Sequence, residues 1–223
     1  MTKQELKVFL NEQYERYHNR SFIDDDPVGI AHEFSKKEDI EIAAFLSATI
    51  AWGKRAMIIK NASQLMNLMD QSPYEYICDA SDQEMKRLQG FKHRTFNGDD
   101  LSHFVKALRH IYTSRGGLEN AFSKGQKDAK DTKGALIQFH YTFFEIPHRD
   151  RTKKHVSNPE KGSAAKRLNM FLRWMVRDAK GGVDFGLWKT LSPAQLSCPL
   201  DVHSGNTARK LGLLKRKQND WKA

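Results

Sequence analysis

A long apolar run near the start of the chain limits its possible folds more than any other feature. Ten of the thirteen residues from Ile40 to Trp52 are hydrophobic, so the segment has no polar face to turn toward water. A helix that is apolar on all sides is normally buried in the core of a globular protein. The preceding Ser35 and Glu38 have the spacing of a capping box, and Gly53 marks a stop. The run therefore predicts a buried central helix.

The other periodic segments repeat their apolar residues at helical rather than strand spacing. Residues 91–96 are expected to form a loop or a short extended piece. Residues 148–161 are basic and poor in apolar side chains, which predicts a surface loop. No stretch alternates clearly enough to demand a sheet, so the chain is predicted to be all-α. The further predicted helices span residues 6–17, 55–71, 81–90, 101–112, 135–145, 170–176 and 207–214, and the last two are opened by residues 162–169 and 199–204.

Composition places the chain among globular proteins. Of its 223 residues, 39% are hydrophobic and 29% are charged, which suits one large or two small domains. No apolar run approaches the roughly 20 residues of a membrane span, and the N-terminus lacks the apolar core of a signal peptide. A cytoplasmic location and no membrane partner are therefore expected.

The cysteine and histidine content predicts no metal and no cofactor. Cys78 and Cys198 are too few for a disulfide framework or for a four-cysteine zinc or iron–sulfur site. The nine histidines lack the spacing of metal ligands.

The net charge of +10 is concentrated in the last third of the chain. Residues 145–223 carry 17 Lys and Arg against 7 Asp and Glu, whereas residues 1–144 carry 20 of each. A polyanion is the natural partner of such a region, because each neutralised phosphate releases counterions and adds salt-dependent affinity. The alternative is a basic surface that contacts only solvent. The candidates for binding nucleic acid in this region are Arg149, Arg151, Lys153 and Lys154.

Two short motifs in this region precede predicted helices, and each contains a side chain that could act in catalysis. The first, Gly162 to Asn169, places Lys166 near the start of the helix that follows. The second, Pro199 to Ser204, places Asp201 where a helix N-cap would fall. An enzyme with a lysine nucleophile needs an amine to attack carbon and a nearby anion to stabilise positive charge or move protons. Lys166 and Asp201 are therefore the candidate catalytic residues, although a solvated lysine and a simple helix cap would give the same pattern.

The two motifs resemble those of a known enzyme family. They read Gly162-x-x-x-Lys166-x-x-Asn169 and Leu200-Asp201-x-His203. Both are similar to the lysine and aspartate motifs of the helix-hairpin-helix DNA glycosylases of the endonuclease III superfamily, and Glu41 to Ala48 is similar to the helix that begins their helical barrel. Residues 166–174 and 199–214 resemble more closely a family of uncharacterised bacterial proteins that are distant members of that superfamily. The second glycine of a typical hairpin, which lets the backbone approach a DNA phosphate, is Ala164 here.

The resemblance implies a fold of two helical domains with a DNA groove between them and no iron–sulfur cluster. Residues 30–178 would form a helical barrel with a degenerate hairpin. Residues 1–29 and 179–223 would form a second helical domain, which is expected to be truncated at its C-terminus. Lys166 would lie at the hairpin and Asp201 across the cleft. The hairpin adds three residues to those predicted to bind nucleic acid, namely Lys161, Gly162 and Arg167.

The function implied by the resemblance is DNA repair, by a DNA glycosylase with abasic-site lyase activity on damaged or abasic double-stranded DNA. Lys166 would form a Schiff base with the sugar C1′, and Asp201 would stabilise positive charge on the sugar as the base departs. The alternative is a non-catalytic nucleic-acid-binding protein that retains the fold. A third possibility is a helical protein whose basic patch binds an acidic partner.

Overall fold

A computed structural model describes residues 1–124, 126 and 129–223 of the chain. Within these residues the fold is mainly helical, with one two-stranded antiparallel hairpin of β1 (Lys92–His93) and β2 (Phe96–Asn97). The all-α prediction and the short extended piece are confirmed. In the part of the chain that is described, no helix combines the length and the apolar character needed to cross a membrane. The α-helices are α1 (Lys3–Tyr17), α2 (Gly29–His32), α3 (Lys37–Thr49), α4 (Arg55–Leu68), α5 (Pro73–Asp79), α6 (Asp82–Arg87), α7 (Gly98–Ser114), α8 (Gly117–Ser123), α9 (Lys133–Phe143), α10 (Lys166–Val176) and α11 (Val202–Lys210).

The central helix of the structure is α3, as the apolar run predicts. Ten of its thirteen residues are buried, and α2, α4, α5 and α10 pack around it. Its Phe45 is fully buried and lies 5.4 to 5.8 Å, between ring centres, from four other phenylalanines. These rings come from α7, α9 and α10 and belong to Phe104, Phe139, Phe143 and Phe171. Because apolar burial is the main favourable term in folding, the core depends on α3.

The starts of several helices follow the local capping chemistry of the sequence. Ser81 and Asn97 each accept a hydrogen bond from the third residue of the helix they precede, and both complete a capping box. The predicted box at Ser35 is wrong, because Lys36 is the N-cap of α3 and no side chain caps this helix. The carboxylate of Asp39 instead accepts a bond of 2.8 Å from the backbone at the start of α5, which ties α5 to α3.

The first helix, α1, forms as predicted, but its apolar face is not buried. No residue of α1 belongs to the core, and Phe9 on that face is 38% exposed. At the end of the helix Tyr14 stacks on His18 and lies under the guanidinium of Arg177. The His18 ring is 4.0 Å from the buried carboxylate of Asp184. Helix α1 is thus attached at its end and contributes little to the core.

Residues 148–161 do not form the simple surface loop that their composition predicts. They contain two 3-10 turns, Asp150–His155 and Pro159–Lys161, and part of the segment is buried. Thr152 is 1% exposed, and its hydroxyl donates a bond of 2.7 Å to Asp100 in the first turn of α7. The composition is misleading here because polar contacts, rather than apolar side chains, hold the segment against the core.

The segment between α10 and α11 packs on the core with a single 3-10 turn, Pro193–Gln195, as its only helical element. Trp188 is 1% exposed, and its indole N–H donates a bond of 2.6 Å to Glu41 of α3. Val183 and Leu191 are buried in the same core. Residues on both sides of position 178 therefore share this core, while the division into two domains remains a prediction.

Replacing Phe45 with alanine should destabilise the fold by about 3–5 kcal/mol, the usual cost of deleting a buried phenylalanine ring. Phe9→Ala is the matched control, because the same ring is lost from a partly exposed position on α1, and a change within about 0.5 kcal/mol is expected. Urea unfolding followed by circular dichroism measures both values. Equal losses in the two variants would contradict the central position of α3.

Candidate active site

The turn before α10 places Lys166 at the first position of that helix. Gly162 and Ala165 both have left-handed backbone, with φ angles of 84° and 45°. Glycine adopts this conformation freely, whereas alanine is strained in it, so other contacts must hold the turn. The Ser163 hydroxyl accepts the Ala165 N–H at 3.1 Å, and the Asn169 side-chain amide donates back to the turn at 3.0 Å. These bonds determine where α10 begins and hence where Lys166 lies.

Residues 219–221 pack on this turn and on the start of α11. The Trp221 N–H donates to the Gly162 carbonyl at 3.0 Å, and Asp220 forms an isolated β-bridge with Ser163. The Asn219 amide donates to the Asp201 carbonyl at 3.1 Å. The lysine motif and the aspartate motif are thus joined by a third piece of chain.

Asp201 is the N-cap of α11, as its motif predicts. Its Oδ1 accepts the Ser204 N–H at 2.9 Å, and the Ser204 hydroxyl accepts the Asp201 N–H at 2.9 Å, which completes a capping box. Partial burial acts to raise the pKa of the Asp201 carboxyl, but the Ser204 N–H and the charge of Lys166 outweigh it and leave the pKa below its ordinary value. The carboxylate is therefore a fixed anion at neutral pH.

The two motifs meet in the folded chain. Lys166 Nζ lies 3.8 Å from Asp201 Oδ2, and the two side chains are 31% and 39% exposed. A partly exposed ion pair of this kind contributes about 0–1 kcal/mol to stability, so the fold gains little from it. Both groups also remain accessible to a ligand. The structure thus brings together the amine and the carboxylate that the sequence analysis paired, and their catalytic role remains a prediction.

Both side chains line a cleft of about 500 Å³ that also contacts the turn between α3 and α4. This volume is within the range of about 300–1,000 Å³ that small-molecule sites occupy. Trp52, Ile58 and Met170 supply much of its apolar lining. The titratable side chains that line the cleft are Asp26, Arg55, Lys166, Arg167, Asp201 and His203. An apolar wall with several charged groups suits a ligand that has both an apolar and a polar part.

Arg167, next to Lys166, is held by the end of α3. Its guanidinium donates to the Thr49 carbonyl and lies 4.9 Å from the centre of the Trp52 ring. Burial lowers the pKa of this guanidinium to about 10, so it stays protonated at neutral pH. A cation at the C-terminal end of a helix is favourable, because the helix dipole is negative there. Arg167 therefore positions one wall of the cleft, whereas its contact with nucleic acid remains a prediction.

Asp26 is a second carboxyl in the cleft that neither motif reveals. In the sequence it belongs to an Asp-Asp-Asp-Pro run, which is typical of a helix end. One of its oxygens accepts the Val28 N–H at 3.1 Å. Burial raises the pKa of the Asp26 carboxyl, although that N–H and the charges of Arg55, Arg173 and Lys166 oppose the rise. No local pattern identifies this residue, because only the tertiary fold brings it beside α10.

Most of the predicted nucleic-acid-binding residues of the basic segment have acidic partners. The two exposed ion pairs are Arg149–Asp99 at 2.5 Å and Lys153–Asp150 at 2.9 Å. Arg151 lies 2.6 Å from Asp100, whose side chain is fully buried. Lys154 and Lys161 are exposed and have no ion-pair partner among the described residues. Fewer positive charges are therefore available to a ligand than the number of Lys and Arg residues in this segment suggests. Its binding of nucleic acid remains a prediction.

Three cations that form no ion pair among the described residues lie at or next to the cleft. Lys54 and Arg55 are exposed at the start of α4, and Arg94 is exposed in the turn of the β-hairpin. A Cβ added to Gly53 would lie 3.2 Å from Nη1 of Arg94, so the arginine side chain crosses the turn that lines the cleft. Free positive charge is thus available beside Lys166 and Asp201.

The sequence of the chain matches a family model over most of its length. That model, described as "Protein of unknown function (DUF2400)", covers residues 26–223. The chain belongs to this family. The matched region includes Asp26, Lys166 and Asp201 and leaves α1 outside. No curated protein and no solved structure matches the chain. Because the family description assigns no activity, the function has to be inferred from the site.

Arg151 and Arg149 test which cations of the basic segment are structural. Arg151→Ala should destabilise the fold by about 2–3 kcal/mol, because the buried carboxylate of Asp100 loses its cation. This loss is slightly smaller than the usual cost of breaking a buried ion pair, because the Arg151 side chain is partly exposed. In the Arg149 pair the arginine side chain is 69% exposed. Arg149→Ala should therefore cost less than about 1 kcal/mol. Urea unfolding measures both, and equal losses would contradict the structural role of Arg151.

Proposed function

We propose that the protein is a DNA repair enzyme, a DNA glycosylase with abasic-site lyase activity. The observation that carries the proposal is the pairing of Lys166 and Asp201, whose charged atoms are 3.8 Å apart at a cleft of about 500 Å³. The resemblance of both motifs to those of the helix-hairpin-helix glycosylases supports the same assignment. The mainly helical fold is compatible with that resemblance.

The target nucleotide enters the cleft after it leaves the DNA stack. Extrusion costs a few kcal/mol, and a damaged or missing base lowers that cost, which favours damaged sites. Trp52 and Met170 offer apolar surface to the sugar and base. Lys54, Arg55 and Arg94 supply positive charge for the flanking phosphates.

Asp201 stabilises the positive charge that develops on the sugar as the base departs. Its pKa lies below the ordinary value, so the group is an anion when the substrate binds. The capping bond from Ser204 holds the carboxylate in place before the reaction begins. A charge that is already oriented toward a developing cation needs no reorganisation, and such stabilisation is usually the largest catalytic contribution.

Lys166 is the nucleophile. The ammonium group gives up a proton to solvent, and the neutral amine forms a bond to C1′ as the bond from C1′ to the base breaks. The electrons of that bond leave with the base, which takes up a proton. The sugar ring then opens, its ring oxygen takes up a proton, and an iminium remains between C1′ and the lysine nitrogen. Loss of a proton from C2′ expels the 3′ phosphate and cleaves the strand. Borohydride reduces the iminium to a stable amine, so the intermediate can be trapped.

A non-catalytic nucleic-acid-binding protein is the second candidate. The unpaired cations Lys54, Arg55 and Arg94 favour it independently of Lys166, because they attract phosphate whether or not a reaction follows. Trapping separates the two candidates, since a binding protein forms no covalent bond with DNA.

Borohydride trapping on a duplex with one abasic site tests the proposed activity directly. Wild-type protein should form a covalent complex, and Lys166→Ala should abolish it while most of the DNA affinity remains, because only one cation is deleted. Lys161→Ala removes an exposed lysine just before the same turn, so it should still form the covalent complex, with no more loss of DNA affinity than Lys166→Ala shows. Wild-type protein that binds DNA without trapping would favour the second candidate. Trapping by Lys166→Ala would place the nucleophile elsewhere.

In the same assay, Asp201→Asn separates a role of the charge from a role in capping. Asparagine caps helices about as well as aspartate, so the free energy of unfolding should hardly change. The rate of trapping should fall by about two orders of magnitude, because the stabilising charge is removed. A rate close to that of the wild type would reduce Asp201 to a helix cap.

Affinity for duplex DNA should decrease steeply with salt, with a logarithmic slope of about 0.9 per phosphate contacted. The double variant Lys54→Glu/Arg94→Glu should bind more weakly and show a smaller slope, because two phosphate contacts are lost. Lys3→Glu/Lys7→Glu, the control on the exposed helix α1, should change neither quantity. Fluorescence anisotropy titrations at several salt concentrations measure both. Salt-independent binding, or equal losses in the two variants, would contradict the placement of DNA at the cleft.

A further inference from the structure

Building on the proposed function, we infer that Asp26 is a further catalytic residue, the base that removes the C2′ proton in the strand-cleavage step. The inference rests on the proposed Schiff base on Lys166, because the positively charged iminium makes the C2′ proton much more acidic than it is in the parent sugar. It assigns to Asp26 a step that neither Lys166 nor Asp201 performs.

The position of Asp26 suits proton transfer. Its side chain lines the same cleft as Lys166 and Asp201. The Val28 N–H bonds to Oδ1 at 3.1 Å and so orients the carboxyl group. Among the described residues, none donates a hydrogen bond to Oδ2 and none forms an ion pair with Asp26, so this oxygen is available to a substrate.

The two carboxyls of the cleft have different surroundings. Asp201 accepts a capping bond from Ser204 and faces Lys166, which leave its pKa below the ordinary value despite partial burial. Burial raises the pKa of Asp26 instead, and a weaker acid is a stronger base when ionised. Two carboxyls whose surroundings shift their pKa values in opposite directions commonly have separate roles in acid–base catalysis. Asp201 therefore suits a fixed anion, and Asp26 suits a group that gains and loses a proton.

Charged groups from several elements act on Asp26. Arg55 on α4 and Lys166 and Arg173 on α10 favour its ionised form and limit the effect of burial. Asp201 and His203, from the start of α11, complete the titratable lining of the cleft. The cations keep a carboxylate present before the reaction, and burial makes it a better base than an exposed aspartate.

The step is balanced without an oxidant, a reductant or a metal. Oδ2 of Asp26 forms a bond to hydrogen as the C2′–H bond breaks, and the electron pair of that bond becomes the second bond between C2′ and C3′. The bond from C3′ to oxygen breaks, and its electrons leave with the phosphate. The iminium on Lys166 withdraws electrons from C2′ and makes its proton acidic. Water then hydrolyses the unsaturated iminium, which frees Lys166, and Asp26 returns its proton to solvent.

Asp26→Asn should separate formation of the Schiff base from strand cleavage. The experiment uses the full chain and a duplex with one abasic site, with borohydride to measure trapping and without it to measure cleavage. Trapping should stay within about twofold of the wild type, whereas cleavage should slow by about 100-fold or more, as for loss of a general base. Asparagine retains an oxygen to accept the Val28 N–H, so the local turn should persist. A residue with only a structural role would affect both activities together.

Asp25→Asn is the matched control, because Asp25 is exposed and adjacent to Asp26 but does not line the cleft. Both of its activities should equal those of the wild type. Asp26→Glu restores a carboxylate and should recover part of the cleavage rate. Unfolding curves show that each variant is folded. Should Asp26→Asn not fold, Asp26→Ser takes its place with the same expected split, since a serine hydroxyl can also accept the backbone bond.

Cleavage by Asp26→Asn at the wild-type rate would overturn the inference and leave the proposed function intact. Equal losses of trapping and cleavage in a folded variant would also overturn it, because Asp26 would then act before the proton transfer. Absence of trapping by the wild-type protein is a different result, since it would overturn the proposed function and the inference together.

Discussion

The bond between Arg167 and the Thr49 carbonyl joins the two helices on which the candidate site is built. Helix α3 ends at Thr49, and the turn that follows it lines the cleft, while α10 begins with Lys166. A guanidinium that loses part of its water is costly unless it is bonded, and here the carbonyl and the face of Trp52 compensate for that loss. The contact therefore places the lysine beside the turn. Apolar packing of α10 against α3 holds the rest of the two helices in register.

The chemical character of the cleft comes from unequal surroundings of ordinary side chains. The Asp201 carboxylate accepts a backbone N–H and lies next to Lys166, and both contacts favour its charged form. Its partial burial opposes them but does not outweigh them. Asp26 is more strongly desolvated and has one hydrogen bond, so its carboxyl holds a proton more readily. One cleft thus contains an amine, a fixed anion and a weaker acid. The fold achieves this without a metal-binding group of three His, Cys, Asp or Glu side chains among the described residues.

Formal charge and free charge differ in this protein. The basic segment contributes to the net charge of +10, yet Arg149, Arg151 and Lys153 each have a carboxylate within ion-pair distance. The acids that pair with the two arginines lie in the first turn of α7, where negative charge is favoured by the helix dipole. The two arginines therefore pair with carboxylates that are already favoured at the start of α7. Lys54 and Arg94 lie within residues 1–144, which carry no net charge. Neither forms an ion pair with another described residue.

Local sequence patterns predicted most of the longer helices and pointed to two candidate site residues, Lys166 and Asp201. The apolar run of α3, the caps at Ser81 and Asn97 and the N-cap Asp201 depend on neighbours within a few residues, so local patterns predicted them. The partial burial of the polar segment 150–155 and the position of Asp26 beside Lys166 at one cleft arise only in the folded chain. Such proximity is the combined result of side-chain packing from many distant segments. No short pattern encodes it, because each segment contributes only part of the surface against which the others pack.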